Sequence, residues 1–109
     1  MEIVFRSAKM AKTLGDERRL NAEYGQQAKA IRLRMAVLEA APTLATVPTM
    51  PPPRRHQLKG DKDELFAVDL KHPYRLVFRP HPDAPRREDG GIDLDKVTCV
   101  EIVSVEDYH

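Results

Sequence analysis

At 109 residues, 41% hydrophobic and 32% charged, the chain is long enough for one core and too short for two, and its composition excludes the disordered and collagenous classes. No apolar run nears the roughly 20 residues of a membrane span, no basic-then-apolar leader opens the chain, and the single Cys99 cannot close an internal disulfide, so one cytoplasmic domain over residues 1–109 is expected. The net charge of +1 hides an asymmetry, because residues 1–59 carry eleven Lys/Arg against five Asp/Glu and residues 60–109 carry seven against twelve, which permits a basic patch without proving one.

In chain order, residues 2–6 (Glu-Ile-Val-Phe-Arg) predict a first strand with Ile3 and Phe5 on one face. Ser7 is an N-cap for a short helix through Met10 and Leu14, Gly15 ends it, and Asp16 caps a second helix. Leu20, Tyr24, Ala28, Ile31, Met35 and Leu38 then recur at steps of 4, 4, 3, 4 and 3, the stripe of an amphipathic helix facing a core. Gly25 marks a bend in that helix and Pro42 ends it. Residues 42–55, with Pro51-Pro52-Pro53, predict an extended, stiff connector.

Two alternating runs follow, residues 65–70 and 74–80, separated by Lys71-His72-Pro73, which predicts a β-hairpin. Phe66, Val68, Leu70, Tyr74, Leu76 and Phe78 fall on its core side. Arg75, Val77 and Arg79 point the other way and, with His56 and Lys59, form either an ordinary solvated face or an anion-binding one. Residues 80–95 are too long for a simple hairpin loop and are expected to be mobile or functional. Residues 96–105 return to strand with apolar residues on both parities, the pattern of a central strand covered on both faces. Cys99 sits there as a small buried residue. Strand, helix, helix and three strands predict an α+β domain, a small antiparallel β-sheet with two N-terminal helices packed on one face. His56, His72, His81 and His109 have no metal-ligand spacing, so neither a metal nor another cofactor is expected.

The opening His56-x-Leu58-Lys59-Gly60-Asp61, the strand Tyr74-Arg75-Leu76-x-Phe78 and the terminal Glu106-Asp107-Tyr108-His109 together resemble the RelE/ParE superfamily of bacterial toxins, in particular its HigB branch. The resemblance runs from Ile3 to His109. It implies the RelE-like fold and a type II toxin-antitoxin toxin, an endoribonuclease (mRNA interferase) that cleaves messenger RNA on the ribosome. A cognate HigA-like helix-turn-helix antitoxin would neutralise it and connect it indirectly to operator DNA, with no membrane involved. By the same resemblance His56, Asp107, Tyr108 and His109 are catalytic, while Lys59 and Arg75 face the RNA backbone. The proline-rich link and the long 80–95 loop depart from the family pattern.

Metal-free RNA cleavage needs a base for the ribose 2′-OH, cations for the phosphorane and an acid for the 5′-oxygen. Imidazole, with an unperturbed pKa of ~6.5, suits either proton transfer, and Arg75 and Lys59 supply lasting cations. His56 is expected as base and His109 as acid. Asp107 orients a histidine, and Tyr108 either stacks on a base or donates a hydrogen bond. Two other functions compete: a ParE-type toxin that inhibits DNA gyrase without cutting RNA, and an inactive scaffold in a repressor complex. The face bearing Lys29 and Arg32 and the 80–95 loop are the candidate antitoxin surfaces.

Overall fold

The computed structural model describes residues 1–60 and 64–107. Within them a five-stranded sheet forms one layer and three helices the other. The strands are β1 (Glu2–Phe5), β2 (His56–Gln57), β3 (Phe66–Asp69), β4 (Tyr74–Pro80) and β5 (Cys99–Asp107), in the spatial order β1-β5-β4-β3-β2. The expected α+β class and the helices on one face are both present. Pairing is antiparallel except between β1 and β5, which run parallel, so the sheet is mixed. β5 lies between β1 and β4 and is an interior strand, while β4 is the middle one.

Local chemistry explains the helices. Ser7 accepts a hydrogen bond from the Met10 amide at the start of α1 (Ala8–Leu14), and Gly15 follows its last turn. Asp16 accepts from the amides of Arg18 and Arg19 and caps α2 (Glu17–Tyr24). The expected single long helix is instead cut at Gly25, whose φ of +48° and ψ of −112° suit glycine rather than a helical residue. A 3₁₀ turn follows, and then α3 (Ala28–Ala40). The break has a tertiary cause: the Gln27 side-chain amide donates to the Lys71 carbonyl (2.9 Å) and accepts from its amide (3.0 Å), tying the helical layer to the β3–β4 turn.

The core lies between the layers. Leu20, Ile31 and Leu38 are fully buried against Phe66, Phe78 and Ile102. Tyr74, expected on this side, is instead 36% exposed because it stands at the sheet's end. The connector of residues 42–55 is not a free extended spacer. Leu44 and Val47 are buried in the core, the Leu44 amide donates to the Val97 carbonyl, and bonds from Arg54 N to Met50 O and from Arg55 N to Pro48 O close the proline stretch into a compact turn.

In β5 the two apolar parities have a different origin from simple two-sided burial. Val77 pairs with Ser104 but Phe78 pairs with Ile102, so Val103 is the extra residue of a β-bulge. Before the bulge Val100 and Ile102 face the helices; after it Val105 does. Among the described residues the opposite face carries a small apolar cluster of Leu58, Ala67 and Val77 with Leu65 and Val103 packed on it.

Candidate functional site

The register of the sheet decides which candidate residues meet. Directly opposed residues share a face, so His56, Ala67, Val77 and Ser104 form one row on the face away from the helices. Asp69, Arg75 and Glu106 form the next row, and Arg79 stands opposite Glu101 on the same face. The site has an apolar floor from Ala67 and Val77, both fully buried, with ionisable groups around it.

His56 is half-buried at the start of β2, with Nδ1 2.8 Å from the carbonyl oxygen of Arg54. Lys59 is exposed, one residue beyond buried Leu58. Arg75 is 15% exposed and its Nη2 lies 3.2 Å from Glu106 Oε1, while Ser104 Oγ donates to the other Glu106 oxygen at 2.9 Å. Asp107 ends β5 opposite Tyr74. Because the bulge turns Ser104 and Glu106 toward the open face, the alternation assigns Asp107 to the other side, so the described strands do not put it beside His56. Tyr108 and His109 lie outside the described residues, as does Asp61 of the hairpin-opening motif.

The open face is not the bare basic surface that its arginines suggest. Arg54 makes a bidentate pair with Asp69 (2.6 and 2.9 Å), Arg75 pairs with Glu106, and Arg79 with Glu101 at 2.7 Å. Each guanidinium is thus matched by a carboxylate on the same surface. The carboxylates are Asp69 of β3 and Glu101 and Glu106 of β5, and because Glu101 and Glu106 stand on opposite sequence parities, pairing them with their arginines requires the register and the bulge. Arg55 points elsewhere, donating from Nε to the Val47 carbonyl, and burial pulls its pKa down from the ordinary guanidinium value.

The 80–95 loop is packed down. Ala84, Ile92 and Leu94 lie on the core, and Arg86 bridges to Ile92. Between it and Gln57 lies a cleft of about 510 Å³ lined by Arg86, Arg87, Glu64, Asp93 and Asp95. Arg86 is held by Glu64 and Arg87 by Asp89, whose carboxyl is pulled down chiefly by the Gly91 amide and further by Arg87. The balance of charge in that cleft does not favour an anion. Cys99 is partly buried, and desolvation, followed by the charge of Glu2, pushes its thiol up, which leaves little thiolate for nucleophilic chemistry.

No protein-family model matches the chain. No curated protein sequence is detectably similar to it. Among solved structures, a YoeB/ParE toxin from Agrobacterium tumefaciens superposes with a TM-score of 0.57 at 12% identity, the match spanning 100% of each chain. The fold is that of the RelE/ParE toxins. At this identity the likeness concerns backbone architecture, and side-chain chemistry has to be argued from the open face itself. Within that fold, His56 and Arg75 occupy adjacent cross-strand rows on the face away from the helices. No helix among the described residues is long and apolar enough to cross a membrane.

Proposed function

We propose that the chain is the toxin of a type II toxin-antitoxin pair and cleaves messenger RNA on the ribosome in the manner of the HigB branch. The observation that carries this reading is the placement of His56 and Arg75 in adjacent rows of one open sheet face, in a fold shared with a YoeB/ParE toxin over the whole chain. On this reading His56 takes the ribose 2′-OH proton, Arg75 and Lys59 offset the charge on the phosphorane, and His109 protonates the 5′-oxygen with Tyr108 supporting it, while Asp107, which the alternation of β5 assigns to the other face, takes no part in this arrangement. A HigA-like helix-turn-helix antitoxin silences the toxin in the cytoplasm and joins it to operator DNA. Leu33, 51% exposed on α3 beside Lys29 and Arg32, offers an apolar and basic surface for that partner.

Induced expression in bacteria tests the reading. Growth arrest accompanied by new cuts inside translated frames, mapped by primer extension on abundant transcripts, is the expected result. Arrest with intact transcripts would reject it in favour of a ParE-type gyrase inhibitor. No arrest would leave the repressor scaffold.

The gyrase reading has one specific support, the pairing of Arg54, Arg75 and Arg79 on the open face with carboxylates, which weakens the face as a site for a phosphate chain. Charge release decides between them. On the nuclease reading, Glu101→Gln frees the guanidinium of Arg79 and should tighten binding of a short single-stranded RNA, steepening the dependence of log K on log salt by about 0.7. Fluorescence anisotropy across a salt series measures this, and an unchanged slope would mean that RNA does not contact this face at Arg79.

A further inference from the structure

We propose that Arg54 and Asp69 are positioning residues that fix the tautomer of His56; the proposal rests on the nuclease reading for its catalytic consequence, though not for its geometry. A carbonyl oxygen can only accept, so the 2.8 Å contact to the Arg54 carbonyl requires the proton on Nδ1 of His56. In the neutral ring this leaves Nε2 with the lone pair, the nitrogen able to take a proton from substrate. A histidine side chain free in water favours the opposite tautomer. The protein therefore selects a form of the ring that the side chain would not choose alone.

The selection depends on an unusual backbone. Arg54 has φ of +48° and is the one non-glycine residue with positive φ among the described residues. That conformation is sparsely populated for residues with a Cβ. It sets the Arg54 carbonyl within reach of the ring two residues later. The surroundings hold it there: the Asp69 carboxylate grips Nε and Nη2 of Arg54 at 2.6 and 2.9 Å, and the Asp69 amide donates to the Pro53 carbonyl at 2.8 Å. One residue of β3 thus holds residues 53 and 54 through both side chain and backbone. The charge of Arg54 is matched by the bidentate pair with Asp69, which argues for a structural hold on His56 over a phosphate contact.

Ring ¹⁵N shifts of the full chain, labelled on histidine and recorded without RNA, test the geometry, with the His56 signal assigned by its loss in His56→Gln. In the wild type the neutral ring should carry its proton on Nδ1. Arg54→Ala keeps the Cβ but loses the grip of Asp69, so the ring should move toward the Nε2–H form and ribosome-dependent cleavage should fall roughly tenfold or more. Asp69→Asn should shift the ring in the same direction. Arg54→Gly is the discriminating variant, because glycine adopts positive φ without strain; it should recover the Nδ1–H tautomer and a measurable part of the cleavage lost in Arg54→Ala. A wild-type ring protonated on Nε2 would overturn the proposal, and so would Arg54→Gly and Arg54→Ala falling alike, the result expected of a plain cation. The tautomer is read without substrate. An Nδ1–H ring in a protein that cuts no RNA would therefore reject the nuclease reading and leave the hold on His56 standing.

Discussion

On the proposed nuclease reading, His56→Ala should abolish transcript cleavage on purified ribosomes, lowering the rate by about 10²–10⁴-fold, the range lost when a positioned general base is removed. The effect should be separable from folding. His56 is only half-buried, it lies in a two-residue edge strand, and its row neighbours Ala67 and Val77 are held by β3 and β4 whether or not the imidazole is present. Expression level and unfolding midpoint should therefore stay near those of the wild type. Added imidazole should restore part of the activity, because the truncated side chain leaves space for a free base above the apolar floor. In cells the variant should permit growth at a protein level at which the wild type arrests it. Undiminished cleavage by His56→Ala would remove the base from this position. Loss of cleavage with arrest retained would separate toxicity from RNA chemistry and favour gyrase as the target.

How far the site can be read from sequence depends on register. The caps at Ser7 and Asp16 and the stripe from Leu20 to Leu38 are local signals, because a cap needs only its own first turn and a stripe only the helical period. The β3–β4 hairpin follows from alternation, whereas the apolar residues on both parities of β5, read as two-sided cover, come from the bulge in an interior strand. Gly25 predicts a bend but ends a helix, since the deciding contact, Gln27 with Lys71, is 44 residues away in sequence. The prolines of residues 42–55 predict an extended connector, while the apolar Leu44 and Val47 among them were the signal for a packed one. The acid partners of Arg75 and Arg79 become visible only with the one-residue slip at Val103, which also assigns Asp107 to the face opposite His56. The resemblance to the RelE/ParE toxins points to His56 and Arg75, and the register puts them on a common face. Arg54, Asp69 and Glu101 carry no motif, and Glu106 stands in the terminal motif with no role assigned by it, so their part in that face follows from pairing alone.

Phe78→Ala should destabilise the domain by about 3–5 kcal/mol, the usual cost of removing a buried aromatic ring from a core that cannot fully collapse. Phe78 is 0% and Phe66 1% exposed, their rings stack with centroids 6.0 Å apart and planes inclined by 21°, and the two residues are direct partners across β3 and β4. On its other side Phe78 opposes Ile102, immediately before the bulge, so the cavity would open where β5 changes phase. With a typical domain stability of about 5–15 kcal/mol, the loss takes a large share of the total. At a typical urea m-value of about 2 kcal/mol/M, the midpoint should fall by roughly 1.5–2.5 M. A double-mutant cycle with Phe66→Ala should return a coupling of about 0.5–1.5 kcal/mol for the ring pair. Tyr74 lies at the same strand parity but is 36% exposed, and Tyr74→Ala should cost far less. A cost below about 1 kcal/mol for Phe78→Ala would mean that the sheet and helices are not held together through this pair. The consequence for activity is specific. Gln57, next to His56, pairs with Phe66, so loosening the aromatic pair also loosens the strand that presents the imidazole. Phe78→Ala should accordingly lose activity as temperature rises and regain it on cooling, whereas His56→Ala should be inactive at every temperature at which it is folded.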